Sequence, residues 1–129
     1  MIPTFSAENL QALVASYKGD SEVLDLIFAC LQSFENYHNA VYELEIKKMV
    51  KTHKATELAD YQEMIQSADQ NRTIYHNSVL AKVNILNRLA AQANLPLVYD
   101  GKVSEEKPYR RQVADAVFTY MESIIRKRS

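Results

Sequence analysis

The apolar residues Val23, Ile27, Cys30, Phe34, Tyr37, Val41 and Leu44 follow one another in alternating steps of four and three. That rhythm puts them on one stripe of a helix, the seam of helix-on-helix packing. Leu24, Leu31 and His38 form a flanking row one residue on. The rhythm fails at Lys48, Lys51 and Ala55, which predicts a turn over Lys51–Thr56 with Thr56 as N-cap of the next helix. That helix carries Leu58, Tyr61, Ile65, Ala68, Arg72, Tyr75, Val79, Val83, Leu86, Leu89 and Ala93 on one face. It closes at Asn94-Leu95-Pro96, because proline disfavours helix at the residue before it. Ser67-Ala68-Asp69-Gln70 reads as a capping box and marks a rival break near residue 67. The unbroken apolar rhythm across it favours one continuous helix.

The helix breakers agree with this division. The glycines are Gly19 and Gly101, the prolines Pro3, Pro96 and Pro108, and neither type occurs from Asp20 to Leu95. Such a stretch belongs to helices rather than strands and turns. A short first helix is predicted from Ser6 to about Tyr17, with Ser6 as N-cap and Gly19 just past its end. Leu97–Asp100 reads as a brief extended segment closed by an Asp-Gly turn. A last helix is predicted from near Ser104, with Pro108 in its first turn and Val113, Ala116, Val117, Tyr120 and Ile124 as its seam. The expected fold is therefore all-α, one domain over residues 1–129. It is a long antiparallel helical hairpin with one short N-terminal and one C-terminal helix, resembling a four-helix bundle.

The hairpin helices are predicted to run about 50–57 Å, and the last helix only about 36 Å from the open end. The closed tip carries Tyr42, Ile46, Met49, Val50, Leu58, Tyr61, Met64 and Ile65, which the flanking helices cannot reach. Apolar surface left bare at that scale predicts a partner. The first expectation is a second copy, as a homodimer or higher oligomer, and the next is another protein.

Charge and cysteine content remove other classes. Among 129 residues the formal net charge is −1, so no global field calls for nucleic acid or an anionic membrane. Arg126, Lys127 and Arg128 suit the negative end of the last helix dipole. The single Cys30 excludes an intrachain disulfide and a cysteine-rich zinc site, and its seam position predicts a small buried hydrophobe. No run approaches a membrane span and no leader pattern is visible, so the expected compartment is the cytoplasm.

One polar layer stands out. Tyr37-His38-Asn39-Ala40-Val41 returns as Tyr75-His76-Asn77-Ser78-Val79, and folding the hairpin at residue 54 places His38 opposite Arg72 and Glu35 near Tyr75. Glu35, His38, Arg72 and His76 are thereby expected to converge. Arg72 sits where an apolar residue is expected, and a buried guanidinium needs a partner, for which Glu35 and Asp69 are the candidates. Two readings compete: a structural ion pair that sets helix register, and an anion or substrate site lined by Arg72 and both histidines. Glu35-x-x-His38 has di-iron spacing, but the second helix offers Thr73 where a carboxylate is required, so no metal and no cofactor are expected. His53 falls in the predicted turn. Arg110 and Arg111 open the last helix, with Asp115 spaced to pair with them.

The pattern Arg72-x3-His76-Asn77, Asn84-x2-Asn87-Arg88-Leu89, Tyr99 and Arg111-x-Val113-Ala114-Asp115 resembles a small group of bacterial proteins, mostly from Firmicutes, that share a domain of unknown function. The resemblance covers roughly residues 20–128 and implies an all-α fold and a bacterial cytosolic origin, with no activity to carry over. Two other likenesses fail on their motifs. Arg72-x3-His76 is one residue short of the usual arginine–histidine spacing of the helical nucleotide-binding ribonucleases. Asp100-Gly-Lys lacks the Asp-x-x-Arg-Glu of the helical chorismate mutases. The leading expectation is a non-enzymatic, homo-oligomeric interaction or regulatory module. The alternative is a small-molecule or metal-dependent activity at the Glu35, His38, Arg72 and His76 layer.

Overall fold

The computed structural model describes residues 2–49 and 59–128. Among these lie four helices: α1 (Ala7–Ser16), α2 (Ser21–Lys48), α3 (Ala59–Gln92) and α4 (Lys107–Arg128). The fold is all-α, as the periodicity predicts. The predicted turn Lys51–Thr56, with His53, lies outside the described residues.

Each boundary has a local cause. Ser6 Oγ accepts from the Asn9 backbone N–H at 3.2 Å and opens α1, and Asp20 Oδ1 does the same for Val23 N–H at 3.2 Å and opens α2. The end of α3 is a Schellman arrangement. Asn94 sits in the left-handed region at φ 57°. Leu95 N–H reaches back to Ala90 O at 2.9 Å, and Asn94 N–H to Ala91 O at 3.1 Å. Pro96 then prevents continuation. The helix is unbroken through residue 67, so the capping-box pattern there does not start a new element. The last helix begins at Lys107 rather than Ser104, because the Ser104 hydroxyl accepts from Glu106 N–H at 3.2 Å in a turn that precedes it.

The predicted seam of α2 is the core. Ile27, Cys30, Phe34, Tyr37 and Leu44 are buried, and Val23 and Val41 are half-buried against them. They meet Val79, Leu80, Val83, Leu86 and Ala90 of α3 and Val113, Ala114 and Val117 of α4. On α3 the seam departs from its predicted face at one turn. Tyr75 is exposed, and His76 turns inward instead.

A short antiparallel bridge joins Phe5 and Tyr99. Ser6 N–H donates to Val98 O at 2.8 Å. Asp100 receives both the backbone N–H and the hydroxyl of Thr4, at 2.7 and 3.2 Å. Phe5 packs edge-on against Phe34 at 5.5 Å and lies 4.6 Å from the Tyr120 ring, so it wedges between α2 and α4. These contacts pin the segment that leads into α4, and that segment positions the site.

Candidate functional site

The one-turn departure of α3 creates a polar cluster, but not the predicted one. Across the hairpin Tyr37, not His38, meets His76, with ring centroids 5.8 Å apart. Successive residues of a helix point about 100° apart. His38, one residue on from the seam residue Tyr37, therefore faces another neighbour. It is 7% exposed and stacks on Phe118 of α4 at 5.2 Å. Its Nδ1 has no hydrogen-bond partner among the described residues. Glu35 is exposed. The structure thus brings Arg72 and His76 together and separates Glu35 and His38 from them.

Arg72 is half-buried rather than buried. Of its two candidate acceptors it uses Asp69: Nε and Nη2 both donate to Asp69 Oδ1, at 3.2 and 3.0 Å. Spacing explains the choice, since residues three apart on a helix are neighbours.

Arg72, Thr73 and His76 form one wall of a groove of about 340 Å³, with Tyr37 at its base. The opposite wall is the first two turns of α4: Lys107, Arg110, Arg111, Ala114 and Asp115. Spacings of three, four, seven and eight put these five on one helix face. Four cationic side chains thus line the groove against the single carboxylate of Asp115. Three of them occupy the start of a helix whose first turn carries no acidic residue. Cations at a helix N-terminus oppose the dipole, which Glu105 and Glu106 immediately before the helix offset in part.

The electrostatics follow. The His76 pKa is lowered from 6.5, first by burial and then by Arg110 and Arg72, with opposing contributions from Asn77 and Asp115. Burial and the two guanidinium groups thus favour its neutral imidazole. The Tyr37 hydroxyl is pushed up, mainly by burial, with Asp115 adding and Arg72 opposing through charge and a hydrogen bond. Arg110 Nε is buried and has no hydrogen-bond partner among the described residues. The groove is an electropositive, hydrogen-bond-donating cleft suited to an anion.

No group of three or more His, Cys, Asp and Glu side chains among the described residues is arranged to hold a metal ion. Cys30 is fully buried, and burial pushes its thiol pKa up against the opposing charge of Lys82. At the tip, Tyr42, Ile46 and Met49 are 63, 48 and 74% exposed. Tyr61, Met64 and Ile65 are half-buried, and nothing is assigned to Val50 and Leu58, which lie outside the described residues. No helix among the described residues is long and apolar enough to cross a membrane.

Lys107, Arg110 and Arg111 as one wall of a site escape a motif reading. Their signal is three cations within the first turn and a half of a helix, with the acids Glu105 and Glu106 held just outside it.

A family described as "Protein of unknown function (DUF3232)" matches residues 4–127, and the chain belongs to it. No curated protein and no solved structure matches the chain.

Proposed function

We propose that this member of the DUF3232 family is a non-enzymatic helical binding module that takes a small phosphate- or carboxylate-bearing ligand in the α3–α4 groove. One observation carries the reading: Arg72, Lys107, Arg110 and Arg111 line one groove in which Asp115 is the one lining carboxylate, with Arg72 also paired to Asp69. Unliganded, Lys107, Arg110 and Arg111 repel one another, and a bound anion relieves that repulsion. Guanidinium groups suit the planar oxygens of such ligands. The sequence resemblance supports a bacterial cytoplasmic setting, a compartment whose phosphate esters are retained by their charge.

The test is thermal unfolding of the full chain in inorganic phosphate against chloride at matched ionic strength. Saturation at a hundred times Kd stabilises by about 2.7 kcal/mol, a Tm rise of several degrees for a domain of this size. The double variant Arg72→Gln/Arg111→Gln loses the rise. Equal Tm values in the two salts reject the site.

A second reading concerns assembly, and the exposed α2 stripe favours it. Tyr42, Ile46 and Met49 lie four and three residues apart on one face and are all exposed. This supports a homodimer built on the hairpin tip. Sedimentation at micromolar concentration tests it. A dimer that Ile46→Glu converts to a monomer supports the interface, and a wild-type monomer overturns it.

A further inference from the structure

The groove does not end at Arg110. The same side chain lines a second cavity of about 460 Å³ on the other side, formed by one face of α3 and the segment that enters α4. Its α3 residues include Asn77, Ala81 and Asn84, at spacings of four and three on one helix face. Asn77 directly follows His76 of the groove, so the α3 walls of the two cavities are continuous.

The chemistry changes across that boundary. The groove offers cations. The second cavity offers two carboxamides, the Ser104 hydroxyl and the Glu105 carboxylate, over a floor of Leu80 and Val103. Carboxamides both donate and accept, and a carboxylate accepts from hydroxyl groups. Apolar side chains beneath them suit the C–H face of a saturated ring or chain. No aromatic ring is among the described residues that line it, so a flat base would find no stacking partner there. Ala81 between the two asparagines keeps the cavity open, since a longer side chain at that position would enter it.

We infer that the ligand is a phosphorylated sugar or polyol, with its phosphate among Arg72, Arg110 and Arg111 and its hydroxyl-bearing body against Asn77, Asn84 and Glu105. Arg110 is the shared wall, and its buried, unpartnered Nε gains an acceptor when the ester oxygen lies between the two cavities. The inference rests on the anion reading of the groove and adds the identity of the neutral half.

Calorimetric titration of the full chain with inorganic phosphate, ribose 5-phosphate, ribose and adenosine monophosphate separates the two claims. Ribose 5-phosphate is expected to bind about tenfold more tightly than phosphate, the gain from a few net hydrogen bonds. Ribose alone gives no heat. Asn84→Ala and Asn77→Ala, at exposed helical positions, abolish that advantage; Asn84→Ala leaves phosphate affinity unchanged, whereas Asn77→Ala also removes a hydrogen bond to His76 of the groove. Arg111→Gln weakens phosphate and ribose 5-phosphate alike. Equal affinity for the two, or an advantage that survives both asparagine variants, overturns the sugar assignment and leaves the anion site standing. Tighter binding of adenosine monophosphate than of ribose 5-phosphate also overturns it. Failure of every phosphorylated probe to bind overturns both readings.

Discussion

The Asn87 side chain pairs with both backbone groups of Tyr99. Its Nδ2 donates to the Tyr99 carbonyl at 3.1 Å, and its Oδ1 accepts from the Tyr99 N–H at 3.1 Å. The carboxamide does for the 97–100 segment what a neighbouring strand would do, satisfying backbone groups beside a fully buried ring. Asn87→Leu leaves both unpaired and is expected to cost about 2–4 kcal/mol. Asn87→Asp keeps the acceptor, loses the donor, and sets an oxygen against the Tyr99 carbonyl, so it is expected to fall as far. Urea unfolding with an unchanged slope and a lowered midpoint is the expected readout. A wild-type midpoint for either variant rejects the role.

Tyr99 itself behaves differently from the usual buried tyrosine. Its hydroxyl is buried without a hydrogen-bond partner among the described residues. Removing it deletes a desolvated polar group and no bond, so Tyr99→Phe is expected to be neutral or to stabilise by up to about 1 kcal/mol. Gly101 is the counterpart. A Cβ there would sit 2.5 Å from the Tyr99 hydroxyl and 2.6 Å from Pro3 Cβ. Its φ is not positive, so the constraint is space rather than backbone conformation. Gly101→Ala is expected to destabilise by about 1–3 kcal/mol, and Tyr99→Phe in the same chain to recover part of the loss. Chemical denaturation of the two single variants and the double variant measures the coupling.

His76 links the groove to pH. Its folded pKa lies below the unfolded value near 6.5, so between the two the unfolded chain binds more protons. Stability contributed by the neutral imidazole is therefore present above pH 6.5 and lost as pH falls through the folded pKa. His76→Gln is expected to flatten that part of the acid limb. A bound anion offsets Arg72 and Arg110, raises the His76 pKa, and takes up a proton. Phosphate affinity should thus strengthen as pH drops below neutrality, and NMR titration of the His76 ring should move upward in phosphate. An unmoved titration would argue that the anion lies elsewhere.

Asp115 is the one carboxylate lining the groove. Asp115→Asn removes an exposed charge that repels the ligand, a change of about 0.5–1 kcal/mol at an exposed position. Phosphate affinity is expected to rise roughly two- to fivefold. Weaker binding in this variant would mean that Asp115 orients Arg110 or Arg111 rather than competing with the ligand.

Cys30 is fully exposed to no reagent in the folded chain, and its raised pKa keeps it a thiol. Alkylation is expected at the global unfolding rate. Faster modification would reveal a local opening of the α2 seam.

The helices and their seams were legible because three-and-four spacing and the placement of Gly and Pro are local properties. Val23 to Leu44 read correctly, as did the cap at Ser6 and the stop before Pro96. The surroundings of His38 were not legible, because it belongs to the row beside the seam and what covers that row depends on where α4 lies. The structure stacks it on Phe118 and sets the seam residue Tyr37 against His76. Arg72 and His76 stay together because they share a face of α3. The α4 wall stayed hidden for another reason. Its cations gain meaning only when α4 lies across α3, and that placement depends on packing around Phe5 and Tyr99 rather than on any local pattern.

Thr4 and Asp100 lie 96 positions apart, yet their hydrogen bonds clip the stretch that forms the rim of the second cavity. Closing contacts so remote in sequence costs loop entropy that the packing of the long helices must offset. The cavity therefore inherits its outline from a latch that the rest of the fold holds shut. Mutations at Thr4, far from any ligand atom, should loosen the rim and reach the binding chemistry through it.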